Sequence, residues 1–133
     1  MKHLVSIAHT AYFVKDMKAS LDFYCNKLGM ELAFSIPDDN GKPWIEYLKV
    51  ADGQFVELFY ADGETENKGS YSHLCLQVDD CKAAVADFIA AGVTMDSMPC
   101  QGKDFNWQAW VKDPDGNRIE IMQIVPESPQ AKA

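Results

Sequence analysis

Short runs of alternating apolar and polar residues, separated by turn signals, recur along the whole chain. Side chains two positions apart on a strand share a face, so each such run predicts a strand with one buried side. The predicted strands span residues 4–13, 31–36, 44–50, 54–60, 71–78, 94–98, 106–112 and 118–124.

Two stretches instead repeat apolar residues every three or four positions, which is the spacing of an amphipathic helix. The first helix is expected to begin after the N-cap residue Asp16 and to end at Gly29. Its apolar stripe consists of Leu21, Tyr24, Cys25 and Leu28. The second helix spans Asp80 to Ala91, with Val85, Phe88 and Ile89 as its stripe. Each half of the chain therefore has the order βαβββ.

The two halves also match residue by residue. Residues 9–32 align with residues 73–95 at an offset of 64, which pairs His9 with His73. After the helix the offset is 63, which pairs Glu57 with Glu120. An internal repeat of this kind predicts an α+β fold of two tandem βαβββ units, residues 4–60 and 71–125. We expect them to form one domain, residues 1–126, with a polar linker at 61–70 and a flexible tail at 127–133.

Each repeat carries one histidine on its first strand and one glutamate on its last strand, both among apolar neighbours. Glu120, for example, lies between Ile119 and Ile121 and follows the turn Asp113-Pro114-Asp115-Gly116. A single glutamate in a strand is more often a solvated surface residue. In all four strands, however, the alternation puts the polar residue opposite the helix-packed side. Curved mixed sheets would then bring all four to one cavity.

Two imidazoles and two carboxylates form a donor set for a divalent metal of intermediate hardness. The predicted ligands are His9, Glu57, His73 and Glu120. They suit one ion per site, either Ni²⁺, Co²⁺, Zn²⁺, Mn²⁺ or Fe²⁺, with positions left open for water or substrate.

Charge and composition narrow the possible partners. The formal net charge of −8 argues against nucleic acid or an anionic membrane and leaves a small molecule as the expected ligand. No apolar run is long enough for a membrane span, and the first residues lack the pattern of a signal peptide. The cysteines lack C-x-x-C spacing, which is typical of reduced, packed thiols. We therefore expect a cytoplasmic protein.

Four segments resemble the vicinal oxygen chelate superfamily, which has the glyoxalase, bleomycin-resistance and extradiol dioxygenase fold. They are SIAHTAYFVKDMKASLDFYCNKLGMEL, QFVELFY, YSHLCLQVDD and DPDGNRIEIMQ, and the resemblance covers about Leu4 to Val125. It is strongest to glyoxalase I-like proteins, and it implies that the same two histidines and two glutamates hold the metal. Dioxygenases and fosfomycin-modifying members have no ligand at the position of Glu57, so this residue argues against them.

The resemblance implies a lyase or isomerase of the lactoylglutathione lyase type. Such an enzyme moves a proton next to a carbonyl through a metal-bound enediolate, on a substrate derived from methylglyoxal. Glu120 is then the expected base and Glu57 its counterpart. The expected substrate contacts are Phe13, Phe59, Lys103, Trp107 and Met122, with Trp44 and Trp110 nearby. Relatives of this type also imply a homodimer, with the site either within one chain or shared across the dimer.

Two positions depart from the pattern of glutathione-binding members. These have an arginine four residues after the first histidine and an asparagine four residues after the first glutamate, where this chain has Phe13 and Ala61. Each missing charged hydrogen bond costs about 1.5–3 kcal/mol, which Lys103 or another chain would have to replace. The departure favours an epimerase of an acyl-CoA or keto-sugar substrate as the first alternative. The second alternative is a non-catalytic drug-binding protein, and the four ligands count against it.

Overall fold

The computed structural model describes residues 7–61 and 71–133. The chain divides into two compact units, Met1–Asn67 and Lys68–Ala133. Residues 4–6 of the first predicted strand and residues 62–70 of the predicted linker lie outside the described residues. Within the described ranges, no helix is long and apolar enough to cross a membrane.

The first unit contains one mixed four-stranded sheet and one helical segment. Its elements are β1 His9–Val14, α1 Met17–Leu21, a π-helix Asp22–Lys27, β2 Glu31–Pro37, β3 Pro43–Ala51 and β4 Gln54–Tyr60. The strand order is β1-β4-β3-β2. β1 pairs with β4 in parallel, and the other pairs are antiparallel.

The second unit repeats this plan. Its elements are β5 Leu74–Gln77, α2 Cys81–Ala90, β6 Met95–Gln101, β7 Trp107–Lys112, β8 Arg118–Gln123 and a final helix α3 Pro129–Lys132. The strand order β5-β8-β7-β6 is the equivalent one, again with one parallel pair. The predicted α+β class with two βαβββ units is confirmed.

Both main helices begin at the predicted caps. The side chains of Asp16 and Asp80 each accept a hydrogen bond from the backbone N–H three residues later, at 3.0 Å. Gly29 follows the first helical segment with a φ of 86°, a left-handed conformation that glycine adopts without steric cost. These local signals explain why the helix positions could be predicted from the sequence.

The predicted stripe of the first helix is only partly correct. The buried residues of this segment are Met17, Ser20, Phe23 and Tyr24. Leu21, Cys25 and Leu28 are half-buried. The reason is the π-helix, in which the Leu28 N–H bonds to the Phe23 carbonyl five residues earlier. This wider turn rotates the later side chains away from the face that an α-helical spacing predicts.

In the second helix, Cys81 and Val85 are buried, but Ile89 of the predicted stripe is 45% exposed. Ile89 lines an open groove between α2 and β6, together with Met98 and Pro99. The stripe was therefore predicted one turn too long, because β6 does not cover the end of the helix.

Alternation along the strands separates the two faces of each sheet as predicted. On one face the apolar residues are fully buried, and these are Val14, Val56 and Leu58 in the first unit and Ala109, Val111, Ile119 and Ile121 in the second. The opposite face carries the histidine and the glutamate of each unit.

The segment after Pro126, expected to be flexible, forms the short helix α3 in the structure. The Ser128 hydroxyl caps it by accepting a hydrogen bond from the Ala131 N–H at 3.1 Å. Asn106, which is 1% exposed, accepts from the Val125 N–H and donates to the Gln130 side chain. The tail is thus held by a residue far away in the sequence, which a local reading of residues 127–133 does not detect.

Candidate functional site

The first unit brings His9 and Glu57 together. β1 and β4 pair with His9 opposite Phe55 and Ala11 opposite Glu57, so the histidine and the glutamate are diagonal neighbours on one face. His9 Nε2 lies 3.3 Å from Glu57 Oε2. The glutamate side chain is only 7% exposed, whereas the imidazole is 43% exposed. A buried carboxylate therefore contacts an accessible imidazole.

The second unit brings His73 and Glu120 together in the same way. His73 immediately precedes β5, and Cys75 is the register partner of Glu120 on β8. His73 Nε2 lies 3.1 Å from Glu120 Oε2, and the side chains are 31% and 9% exposed. The internal repeat thus extends to the geometry of the two His–Glu pairs.

Aromatic rings surround the first pair. The edge of Tyr47 faces the His9 ring at 6.2 Å, and Phe34 stacks on Tyr47 at 4.4 Å. Farther along the same face, Phe13 contacts Phe59 at 5.4 Å, and the Trp44 ring meets Phe59 edge-on at 5.8 Å. Phe13 is 64% exposed. The face around His9 and Glu57 is therefore apolar and accessible. We call these rings the aromatic face; they are Phe13, Phe34, Trp44, Tyr47, Phe55 and Phe59.

More polar contacts surround the second pair. Ser72 Oγ is 2.8 Å from His73 Nδ1. The Trp110 ring packs edge-to-face on His73 at 4.8 Å, and the Arg118 guanidinium lies over Trp110 at 4.3 Å. Loss of hydration, together with the charge of Glu120 and a hydrogen bond to it, raises the pKa of Cys75 to about 12. A thiol with this pKa is protonated at neutral pH and can act as a donor.

A third buried glutamate, Glu46, belongs to neither pair. It is the register partner of Leu58, which places it on the face opposite Glu57. The Tyr60 hydroxyl donates a hydrogen bond to Glu46 Oε1 at 3.0 Å, and the Ser35 hydroxyl donates to Oε2. Burial raises the pKa of Tyr60, and the hydrogen bond to Glu46 adds to this effect. Glu46 is thus satisfied by two hydroxyls, as a buried carboxylate requires.

The predicted substrate contacts fall into three groups. Phe13 and Phe59 are register partners on the face of Glu57, and Met122 shares the face of Glu120 because it lies two residues farther along β8. Lys103 is exposed in the loop between β6 and β7. Among the described contacts, none joins it to His73 or Glu120.

The structure places Trp107 on the face of the sheet opposite Glu120. Trp107 is the register partner of Gln123, so it lies on the helix-covered face with Ala109 and Val111. The Lys82 ammonium sits over its ring at 4.3 Å, which is a cation–π contact with α2. Trp110 is three positions away, and this odd spacing on a strand already placed the two tryptophans on opposite faces.

The residues at the pairs that sequence reasoning missed include Phe34, Tyr47 and Ser72. Tyr47 is the register partner of Glu57, a relation that depends on strand pairing. Phe34 reaches Tyr47 only after a register shift between Leu32 and Phe34, which no sequence pattern indicated. Ser72 was detectable, because it directly precedes a predicted ligand.

The donor set fits a divalent metal. Neighbouring ligand atoms of an octahedral ion with bonds of about 2.1 Å are about 3 Å apart. The His–Glu distances of 3.3 Å and 3.1 Å agree with this spacing. Each pair supplies one imidazole nitrogen and one carboxylate oxygen. Among the described residues, no cluster of three or more His, Cys, Asp or Glu side chains could hold a metal ion. Each unit thus presents two of the four predicted ligands.

Comparisons with known proteins agree with this fold. Residues 6–121 match the profile of the Glyoxalase/Bleomycin resistance protein/Dioxygenase superfamily. The chain is 35% identical over 124 residues to a probable lactoylglutathione lyase of Vibrio cholerae, covering 88% of this chain and 89% of that protein. It is 32% identical over 126 residues to the lactoylglutathione lyase of Haemophilus influenzae, covering 90% and 93%.

A solved structure is similar over nearly the whole chain. It is TnmS3, an antibiotic binding protein from Streptomyces sp. CB03234, with 27% identity and a TM-score of 0.76. The alignment covers 94% of this chain and 100% of TnmS3. The relatives thus include proteins named as lyases and one named as a binding protein. The chain belongs to the Glyoxalase/Bleomycin resistance protein/Dioxygenase superfamily.

Proposed function

We propose that this protein is a metal-dependent glyoxalase I-like enzyme. It isomerises the hemithioacetal that a thiol forms with methylglyoxal or a similar 2-oxoaldehyde. The observation that carries the proposal is the duplicated His–Glu pair, whose nitrogen–oxygen distances match those of neighbouring metal ligands. Relatives at 32–35% identity that are named lactoylglutathione lyases support it.

In this proposal the two pairs supply four ligands to one divalent ion, His9, Glu57, His73 and Glu120. The identity of the ion stays open among Ni²⁺, Co²⁺, Zn²⁺, Mn²⁺ and Fe²⁺, because all accept imidazole and carboxylate. The four donors require two units to meet at one site, either within a chain or between two chains of a homodimer.

A divalent metal held by these residues would polarise a carbonyl oxygen of the substrate and would make the neighbouring C–H more acidic. The Glu120 carboxylate then accepts the proton as the C–H bond breaks. Glu120 returns the proton to the adjacent carbon, the former carbonyl carbon, while the hydroxyl proton on the first carbon moves to the oxygen of the second. The substrate thus becomes its thioester isomer with no net gain or loss of atoms. Because Glu120 is buried, exchange of this proton with bulk water is limited.

The aromatic face of the first unit provides an apolar surface beside His9 and Glu57. We propose that Phe13 and Phe59 contact the part of the substrate that does not react, and that Met122 does so in the second unit. Lys103 remains a candidate contact for a carboxylate of the thiol. A cytoplasmic location also remains a prediction.

An epimerase is the second candidate. Phe13 stands where glutathione-binding members have an arginine, and its ring is largely exposed. The same two glutamates could then remove and return a proton on opposite faces of an acyl-CoA or keto-sugar carbon. An epimerase would use the same metal ligands as the glyoxalase I-like enzyme and would differ from it only in its substrate.

A binding protein is the third candidate. TnmS3 is named an antibiotic binding protein, and the aromatic face offers flat rings on which a planar drug could stack. This candidate needs neither the metal nor a basic carboxylate.

Metal analysis and a substrate panel separate the three. We expect purified protein to retain a divalent metal, to lose activity after EDTA treatment and to regain it when the metal is restored. We also expect turnover of methylglyoxal mixed with glutathione or another small thiol, and none of acyl-CoA epimers. Turnover of the epimers alone would identify the epimerase. Protein that binds an aromatic antibiotic but neither metal nor these substrates would contradict an enzymatic function.

A further inference from the structure

The two His–Glu pairs differ at two aligned positions. At the offset of 64, Ser72 aligns with Ala8 and Cys75 aligns with Ala11. The second pair thus has a hydroxyl next to its histidine and a thiol next to its glutamate. The first pair has methyl groups at both places.

Ser72 contacts the nitrogen of His73 that faces away from Glu120. Ser72 Oγ lies 2.8 Å from Nδ1, while Nε2 faces Glu120 Oε2 at 3.1 Å. Both ring nitrogens therefore have a partner, which fixes the orientation of the ring and the tautomer that can bind a metal. Ala8 has no hydroxyl to do the same for His9.

Cys75 lies beside Glu120 on the neighbouring strand. The two residues are register partners in the parallel β5–β8 pair, so their side chains project from the same face of the sheet. Ala11 is the corresponding register partner of Glu57, and its methyl group cannot donate. Of the two glutamates, only Glu120 has a thiol donor at this position.

We propose that Ser72 and Cys75 are positioning residues for the second pair. Ser72 holds the His73 ring and Cys75 holds the Glu120 carboxylate, so Glu120 is oriented before substrate binds. This inference rests on the proposed function, because it explains which of two similar glutamates accepts the proton. Glu57, without a donor at the aligned position, then acts mainly as a ligand.

The test converts the second pair into a copy of the first. Ser72→Ala and Cys75→Ala remove the two contacts, whereas Ser72→Thr and Cys75→Ser keep a donor. Cys100→Ala, a change at an exposed cysteine of the same unit, controls for the loss of a thiol. Melting temperatures of all variants report whether any of them is merely less stable.

Cys75→Ala should lower kcat roughly tenfold or more and leave KM within about twofold, because the contact is to the base and not to substrate. Cys75→Ser should restore most of kcat. For Ser72→Ala we expect metal affinity to fall roughly 10- to 100-fold. Calorimetric titration of EDTA-stripped protein with Ni²⁺ or Co²⁺ measures this without any assay of activity. Ser72→Thr and Cys100→Ala should bind metal as the unchanged protein does.

The outcomes distinguish this inference from the proposed function. If the unchanged protein binds metal and turns over substrate, and both alanine variants equal it in kcat and metal affinity, Ser72 and Cys75 do not position the pair. If the unchanged protein binds metal but turns over no substrate, the function is wrong and the titration of Ser72→Ala alone decides the inference. Absence of metal binding in the unchanged protein overturns both.

Discussion

The two His–Glu pairs have nearly the same geometry in different surroundings. In the first unit the pair lies among aromatic rings, and Phe13 and Phe59 extend the apolar face. In the second unit, Ser72 contacts the histidine, Cys75 is the register partner of the glutamate, and Trp110 packs on the histidine. A duplicated unit keeps the residues that both copies need and changes those around them. Under the proposed function, we expect the first copy to provide substrate contact and the second to provide the base.

Exchanging each glutamate for glutamine tests this difference most directly. Glu120→Gln keeps a ligand oxygen but removes the proton acceptor, so we expect kcat to fall roughly 10²-fold or more. Glu57→Gln should have a smaller effect, since we propose that Glu57 acts mainly as a ligand. Steady-state kinetics must be accompanied by metal analysis of each variant. Near-normal turnover by metal-loaded Glu120→Gln would assign the base to another residue.

Mixing inactive variants tests whether the proposed metal site combines the two His–Glu pairs of one chain or one pair from each of two chains. His9→Ala and Glu120→Ala are each expected to be inactive. After subunit exchange, a site shared across a homodimer restores up to one intact site per mixed dimer. Activity is measured before and after exchange, and exchange itself is verified with differently tagged chains. No recovery after verified exchange would place each site within a single chain.

If the four proposed ligands share one ion, metal should stabilise the folded protein, because that site would form only on folding. At a free metal concentration 100 times Kd, mass action adds about 2.7 kcal/mol to the free energy of unfolding. Thermal melts of EDTA-stripped protein with and without Ni²⁺, Co²⁺, Zn²⁺ or Mn²⁺ measure the effect. His73→Ala serves as the control and should show a much smaller shift. Identical melting curves for stripped and metal-treated protein would contradict a shared metal site.

The aromatic face can be tested at Phe13. Phe13→Ala should raise KM roughly fivefold to thirtyfold and change kcat little, since about 1–2 kcal/mol of apolar contact is lost. Val50→Ala, at another exposed apolar residue of the first unit, is the matched control and should leave KM unchanged. An equal KM for Phe13→Ala and the unchanged protein would remove Phe13 from the substrate contacts.

The two tryptophans of β7 give the smallest expected effect. Trp107→Phe should leave kcat/KM within about twofold, because the ring lies under Lys82 on the helix side. It should lower the free energy of unfolding by about 0.5–1 kcal/mol through the weakened cation–π contact. Trp110→Phe should affect kcat/KM more, since Trp110 packs on His73. The opposite ranking in kcat/KM would contradict this assignment of faces.

Much of the fold could be predicted because its signals are local. The period-two alternation of β1, β4 and β8 identified the faces of His9, Glu57 and Glu120, and Asp16 and Asp80 marked the helix starts. The repeat added the pairing of distant residues, which alternation alone cannot provide.

The features that were missed depend on contacts between distant segments. The π-helix needs the bond from the Leu28 N–H to Phe23, and the final helix depends on Asn106. The stacking of Phe34 on Tyr47 follows from an irregular register in β2. The position of Trp107 is a different case, since its strand parity already placed it on the face opposite Trp110.

The parallel pairing of β1 with β4, and of β5 with β8, has a consequence for the order of folding. Within each unit, β2, β3 and β4, or β6, β7 and β8, pair with strands adjacent in the sequence. The strand that pairs in parallel comes from about 45 residues away, and its loop-closure entropy makes its contacts slow to form. That strand brings the histidine, and its partner carries the glutamate. The imidazole is therefore expected to be the last to reach its carboxylate, and an incompletely folded unit should present the glutamate without its histidine.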